Sequence, residues 1–488
     1  MKWVILGIVG VLILASFGVF LTRQRTEAGG PPVFMTGSPG TEMNERLGIF
    51  REWQKARGGA AINLQLDAVN SGMNKVIMQG VSGMAADLIQ ANGSADLGYY
   101  SSIGLLADLG PYAEKGGYRP DRFLPAIRNE LVVDGKQFGC PVSIYLLVTY
   151  INRATFENLG LEVPPPRMTW EDFERRGKEF VAKANPPGQK PRRFFVSGVN
   201  TTAMRRSLGL DTFNETLTRC TLDDPRNTRV LKLIQKWTVE DRLIPTGTDM
   251  AALVSDGDAG VFGPRLYQFK IGNIAMITGG NYLTPALRRL GSLPLAVTMP
   301  PYAEFPNAIL GAQMLAIYTG SKNAAAATEY LEFLQSEEYF ATILRHGDGI
   351  PTTAEKAHRS DYLRPPDHPN EWGCNEEIIR CVEEGGFPYT VSPFAVFGVY
   401  NRIDTSAIDR FMTGLITAEE AGARAAAEIN DEIALNLERR PALRAKHKEL
   451  VAIQARIEER RSRGEKVPRE WIRNPFLKAY YEFQGWCE

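Results

Sequence analysis

Histidine and cysteine are scarce in this chain of 488 residues, with four of the first and five of the second. Five cysteines are an odd number and too few to frame so long a chain with disulfides. Cys374 and Cys381 stand closest together, but Cys-Asn-Glu-Glu-Ile-Ile-Arg-Cys reads as helix. Positions seven apart on a helix lie about 10 Å apart, beyond disulfide reach. Cys140, Cys220 and Cys487, like the histidines at 346, 358, 368 and 447, show no metal-ligand spacing. Net charge is missing as well: Lys+Arg and Asp+Glu both number 56, which argues against a protein that coats nucleic acid. Catalytic signatures are also absent. There is no Gly-x-x-x-x-Gly-Lys-Ser/Thr loop and no His-Glu-x-x-His, and the nearest approach to Gly-x-Ser-x-Gly, Gly80-Val81-Ser82-Gly83, has the wrong spacing. Asp256-Gly257-Asp258-Ala259-Gly260 begins like a calcium loop, but Gly260 and Tyr267 occupy positions where that loop needs ligands, so a solvated acidic loop is expected. No catalytic residue, metal site or cofactor is predicted. Carboxylate pairs for glycoside chemistry depend on spatial separation, so a secreted glycoside-active enzyme stays open as a lesser alternative.

Long apolar runs are lacking but for one. Trp3 to Leu21 gives nineteen residues without a charge, preceded by Lys2 and followed by Arg23 and Arg25. One such run excludes a channel or polytopic transporter. It exceeds the stretch of about 7–15 residues of a secretory signal and falls just short of the ~20 of a spanning helix. Residues 1–29 are therefore read as a signal peptide or membrane anchor, with Ala15 and Ala28 the nearest cleavage candidates. A periplasmic or otherwise extracytoplasmic location follows, secreted or tethered to the inner membrane by Trp3–Leu21. The remainder has globular composition, and its length suits about two to four cores.

Short apolar runs then alternate with amphipathic segments, the pattern of an α/β protein. Val33–Thr36 reads as a strand running into the turn Gly37-Ser38-Pro39-Gly40-Thr41, and a helix follows with Met43, Leu47 and Phe50 on one face. Ile62–Leu66 alternates as a strand, the next helix points Met73, Val76, Ile77 and Val81 inward, and Ala86–Ile89 is strand again. This succession predicts a parallel sheet with ligands at the carboxyl ends of its strands.

The middle of the chain carries an ordered set of motifs. Asp134-Gly135-Lys136-Gln137-Phe138-Gly139-Cys140-Pro141 leads to Tyr145, Tyr150, Asn152, Phe156 and Gly160, then to Pro165-Pro166 and Thr169-Trp170-Glu171-Asp172-Phe173. A second block is Phe269, Gly272, Ala275-Met276 and Gly279-Gly280-Asn281-Tyr282. A third runs from Ser321-Lys322-Asn323 through Tyr330–Leu334 to Gly349-Ile350-Pro351. Across about residues 32–440 this resembles extracellular solute-binding protein family 1 of ABC importers, relatives of the maltodextrin- and glycerol-3-phosphate-binding proteins. The resemblance implies a two-lobed periplasmic binding protein-like fold of type II, with a ligand cleft between lobes and hinge closure around the ligand. Carried onto this chain, one lobe is 32–143 plus 307–352 and the other is 144–306 plus 353–440. It further implies capture of a small-molecule solute, a carbohydrate or related polyol, by a monomer that delivers it to ABC permease subunits served by a separate ATPase. A sensor presenting bound solute to a membrane receptor is the alternative.

The family places a ligand-contacting side chain at Tyr145, and a stacking aromatic at Tyr282, where many relatives have Trp. Phe394 and Phe397 approximate another aromatic position. Ser38, Thr41 and Glu42, in the first strand-to-helix turn, and Asn92 and Ser94, after the third strand, bring hydroxyls, a carboxylate and free N–H groups to the same end of the sheet. Each also has a plain structural reading, since aromatics fill cores and hydroxyls cap helices. Residues 441–488 form an extension the family does not usually need. It reads as a helix with Leu443, Leu450, Ile453 and Ile457 on one stripe, then an aromatic-rich end with Phe476, Tyr480, Tyr481, Phe483 and Trp486. An apolar stripe of this kind is expected to bury against its own protein.

Overall fold

The structure, a computed structural model, describes residues 32–37, 41–58, 62–67, 73–188, 192–255 and 263–488. The apolar run Trp3–Leu21, Ser38 and the acidic loop at 256–260 lie outside the described residues. Strand β1 (Val33–Thr36), helix α1 (Thr41–Ala56), β2 (Leu64–Asp67), α2 (Met73–Val81), β3 (Leu88–Asn92) and α3 (Gly93–Ser102) follow in order. β1 pairs in parallel with both β2 and β3, so the predicted parallel succession holds. Two boundaries move. The strands begin at Leu64 and Leu88; just before the second, Asp87 spends its side chain on the Phe34 N–H (2.9 Å) and the Ser321 hydroxyl (2.5 Å). Val81, expected inward, is 77% exposed, whereas Val76 is buried. Five residues along a helix turn the side chain by roughly 140°, so the two cannot share a face.

Two short strands, β4 (Val132–Val133) and β5 (Lys136–Gln137), make a hairpin. Its turn is Asp134-Gly135, both at positive φ (48° and 80°), the geometry such a two-residue turn demands. Then comes β6 (Cys140–Asn152), long enough to serve two half-sheets. On the far side lie α4 (Trp170–Ala184), β7 (Phe194–Val196), α5 (Thr201–Arg206), α6 (Pro225–Gln235), β8 (Ile274–Gly280), α7 (Thr284–Arg289) and β9 (Leu295–Thr298). The chain returns through β10 (Ala308–Ile317) and continues through α8 (Cys374–Glu384) and β11 (Gly386–Pro388). Four more helices complete it: α9 (Phe397–Met412), α10 (Ala418–Arg439), α11 (Ala442–Ser462) and α12 (Pro475–Gln484).

The first part of β6 pairs antiparallel with β10, from Cys140 opposite Leu315 to Leu146 opposite Leu310. Its second part pairs antiparallel with β8, from Leu147 opposite Gly280 to Ile151 opposite Met276, and with β9. β10 in turn pairs with β3, so the order β2-β1-β3-β10-β6 forms one half and β6-β8-β7, with β9, the other. Many of the sequence motifs are explained by this frame. Thr169 caps α4 by accepting from the Asp172 N–H (3.2 Å), and Trp170 and Phe173 are buried beneath it. Asn152 donates to the Phe269 carbonyl (3.1 Å), and Gly272, at φ 78°, leaves room for Thr155. All five cysteines are free, and Cys374 and Cys381 both sit on α8, as helical spacing required. Burial pushes the Cys220 and Cys381 thiols up to about 12, so they remain unreactive packing groups.

The extension packs on its own protein. Leu450 and Ile457 are buried, Leu443 and Ile453 lie against them, and Phe476, Tyr480 and Tyr481 fill a cluster with Phe305. Buried polar groups tie it down. Arg206, fully enclosed, pairs with Asp211 (3.2 Å) and donates to the Thr390 hydroxyl (3.0 Å). Asn474 donates to the same Asp211 carboxylate (3.0 Å), and its carbonyl oxygen caps α12 by accepting from the Phe476 and Leu477 N–H groups. A second knot forms at Glu215, which accepts from Gln454 (2.8 Å), Arg461 (3.1 Å) and the Tyr481 hydroxyl (2.5 Å).

Two outcomes follow. Asp211→Ala strands the Arg206 charge in the interior and is expected to cost about 3–5 kcal/mol, with α12 the first element to lose hydrogen-exchange protection. Gly422→Ala, which in an open helix would stabilise by ~1 kcal/mol, is expected to destabilise instead, because a Cβ there would meet the Leu222 carbonyl oxygen at 2.5 Å. Denaturant midpoints check both.

Candidate ligand-binding cleft

Three chain segments meet where the two half-sheets share β6. The first is the turn from β3 into α3, Asn92-Gly93-Ser94. Gly93 has φ 75°, and a Cβ there would stand 3.2 Å from Glu130 Oε1, so two constraints demand glycine. The gap admits Glu130, which accepts from the Ser94 N–H at Oε1 (3.2 Å) and the Ala312 N–H at Oε2 (2.9 Å). One carboxylate thus ties the start of α3 to β10. Glu130 is only 4% exposed, and burial, outweighing those donors, raises its pKa to about 7.

The second and third segments carry tyrosines laid over glycines. Tyr145 of β6 stands opposite Gly311 of β10, and a Cβ on Gly311 would come within 2.3 Å of the Tyr145 hydroxyl. Tyr282, after β8, covers Gly280 in the same way, with 2.1 Å to its ring, and is 53% exposed. Burial raises the Tyr145 phenol above its ordinary pKa, and the neighbouring Glu130, Tyr389, Asp96 and Tyr282 raise it further. Beside them Asn281 accepts from the Leu146 N–H (2.9 Å), while its buried amide nitrogen has no acceptor among the described residues. A cavity of about 530 Å³ opens nearby among Ser94, Tyr99, Glu130, Tyr389, Phe397 and Arg440. Such a set can hold a ligand by ring faces and by hydrogen bonds to carboxylates and amides.

The residues singled out from the sequence are placed as follows. Ser94 lines the cavity, and Asn92 directs both its backbone N–H (2.9 Å) and its amide (3.5 Å) to Asp96. Phe397 opens α9, lines the cavity and meets Tyr389 edge-on at 5.7 Å. Thr41 begins α1, and its side chain lies outside what is described. Glu42 pairs with Arg289 of α7 (3.1 Å). Phe394 requires a correction: it is fully enclosed, edge-on to His447 at 4.8 Å, so its ring has no surface to offer a ligand. Ser392 turns it inward by accepting the Phe394 N–H (3.1 Å). Sequence reasoning missed Glu130, Asp96, Asn281 and Tyr389. An acid between Ile127 and Leu131-Val132-Val133 was a usable signal for Glu130; Tyr389 carried none.

The raised pKa of Glu130 has a measurable sign. The neutral form is favoured in the fold, so its contribution is fully present below the ordinary carboxyl value of about 4.5 and is lost as pH rises through about 7. Relative to Glu130→Gln, the wild type is expected to lose roughly 3 kcal/mol of unfolding free energy over that window and then level off. Urea titrations of both proteins between these limits check it.

Comparison with known proteins bears on the family and the fold. The family model described as bacterial extracellular solute-binding protein matches residues 40–339. Among solved structures, an ABC substrate-binding protein from Listeria monocytogenes in complex with cycloalternan is 21% identical, covering 83% of this chain and 98% of its own, with a TM-score of 0.67. An ABC transporter solute-binding protein from Thermotoga lettingae, bound with alpha-D-tagatose, is 17% identical over 83% of this chain and 100% of its own, TM-score 0.65. A maltose-bound T. maritima MalE3 is 16% identical over 82% and 98%, TM-score 0.63. These likenesses establish a two-lobed periplasmic binding protein fold, and the family and its structural neighbours are binding proteins, not enzymes. With the family model spanning more than half of its length, the chain belongs to the bacterial extracellular solute-binding proteins, whose place is outside the cytoplasm.

Proposed function

We propose that the protein captures a carbohydrate or related polyol in the cleft beside β6 and hands it to the permease subunits of an ABC importer powered by a separate ATPase. The observation that carries this reading is the pair of tyrosines laid over Gly311 and Gly280, with Glu130 and Asp96 close to the Tyr145 phenol. A ring face suits the C–H face of a sugar, and carboxylate and amide groups suit its hydroxyls. Sugar ligands in the three solved neighbours support the same class.

The lobes on this reading are 32–143 plus 307–352 and 144–306 plus 353–440, with β6 and β10 the crossing strands. Ligand between them favours closure to the extent that it binds the closed arrangement better. The protein works as a monomer, exported or tethered through residues 1–29.

Calorimetry of the purified protein against a panel of oligosaccharides is expected to find a binder, with no product formed; turnover of the ligand would contradict a carrier. Tyr145→Ala and Tyr282→Ala should each cost about 1–3 kcal/mol of affinity while leaving the unfolding midpoint nearly unchanged. Gly311→Ala should weaken binding as well, although it removes no ligand contact, because the new methyl displaces the Tyr145 ring. Unchanged affinity in Gly311→Ala would show that the position of Tyr145 is immaterial.

A further inference from the structure

The cleft is bounded on one side by residues beyond the family-matched part of the chain. Arg440, Leu443 and Lys446, at the corner between α10 and α11, and Arg473, just before α12, all line the cavity. Residues 441–488 hold eleven Lys and Arg against seven Asp and Glu, in a chain whose total charge is zero. Of these, Lys446 and Arg473 reach the cavity, where with Arg440 at the end of α10 they form a cationic wall.

What those cations face decides their role. Lys446 is committed: it pairs with Asp134 of the β4–β5 turn at 3.4 Å. Arg440 reaches across to α3, where one terminal nitrogen donates to the Ser102 hydroxyl (3.3 Å) and the guanidinium lies 5.6 Å from the centre of the Tyr99 ring. Arg473 donates its backbone N–H to the Glu215 carbonyl (2.8 Å), and its exposed side chain lies near Lys478, another cation. Among the described residues neither Arg440 nor Arg473 has a carboxylate partner. The acids of the same cavity are already used. Glu130 is bonded to two backbone N–H groups and Asp134 to Lys446. The site holds spent acids and two arginines without counter-charge.

We propose that the cleft is selective for a saccharide bearing an anionic substituent, a carboxylate, sulfate or phosphate, held by Arg440 and Arg473. The inference rests on the carbohydrate reading given above and deepens it. A planar guanidinium presents paired N–H donors whose geometry matches two oxygens of such a group, and the bonds are charge-assisted. The cation–π contact with Tyr99 and the bond to Ser102 hold Arg440 at the edge of the cavity, with one terminal nitrogen used on Ser102. A cavity of about 530 Å³ has room for a short saccharide. A neutral sugar would supply neither arginine with a counter-charge.

The test is calorimetry on the full chain with matched pairs: galactose oligomers against galacturonate oligomers, a neutral disaccharide against its sulfated form, and a hexose against its phosphate. At least one anionic member should bind about ten-fold or more tightly than its neutral counterpart, and added salt should narrow the gap. Arg440→Gln and Arg473→Gln should each shrink that ratio, whereas Lys448→Gln, an exposed cation outside the cavity, should leave it unchanged. The three sources of negative charge are separated by which pair shows the gap. Equal affinity for neutral and anionic members, or a gap untouched by both arginine variants, overturns the inference while leaving a sugar carrier. Failure of every saccharide to bind removes the carbohydrate reading itself, and this inference with it.

Discussion

The register of β6 is the constraint on which everything else depends. A single strand hydrogen-bonds to β10 with its first part and to β8 and β9 with its second, so one backbone belongs to both half-sheets. The changeover falls between Leu146, opposite Leu310, and Leu147, opposite Gly280. Tyr145 stands next to this point, and Asn281 secures it by accepting the Leu146 N–H. A slip of one residue would send every side chain of β6 to the opposite face and take Tyr145 off Gly311. The same hydrogen bonds thus set the position of Tyr145 and the point where β6 passes from one half-sheet to the other.

That arrangement explains what was legible in the sequence. Strand–helix alternation near the N-terminus could be read because Leu47, Phe50 and Val76 are buried at helical spacing. The motif blocks were legible because they do local structural work: Asp134-Gly135 makes a turn, Thr169 caps a helix, Gly272 makes space for Thr155. They mark the fold through local structure. Tyr145 and Tyr282 stand out in the sequence through family position, whereas their partners Gly311 and Gly280 are visible as residues but not as a surface. Glu130, Asp96 and Tyr389 come together from segments far apart in the chain, and no periodicity reports such a meeting. Phe394 was misread because an aromatic beside Pro393 looks the same in sequence whether it points to a cleft or to His447.

The extension changes what the family frame can do. It is held by Asn474 on the buried Asp211, which also pairs with Arg206, and by Gln454, Arg461 and Tyr481 on Glu215, so its pieces cannot detach without leaving Asp211 and Glu215 short of partners. Fixed in this way, α10 and α11 present Arg440 and Lys446 to α3 and the β4–β5 turn, on the opposite bank of the cavity. The segment packs against the body of its own protein and supplies Leu443, Lys446 and Arg473 to the lining of the cavity.

The proposed binding at the junction has a mechanical consequence. The β3–α3 turn lies on the β10 side of β6 and Tyr282 follows β8 on the other, so on the proposed reading a ligand touching both is fully enclosed only when the two sides approach. Small-angle scattering of the protein, with and without a saccharide shown by calorimetry to bind, tests this most directly. A smaller radius of gyration in the saturated protein is the predicted result; an unchanged radius at saturation would contradict closure of the two lobes around the ligand.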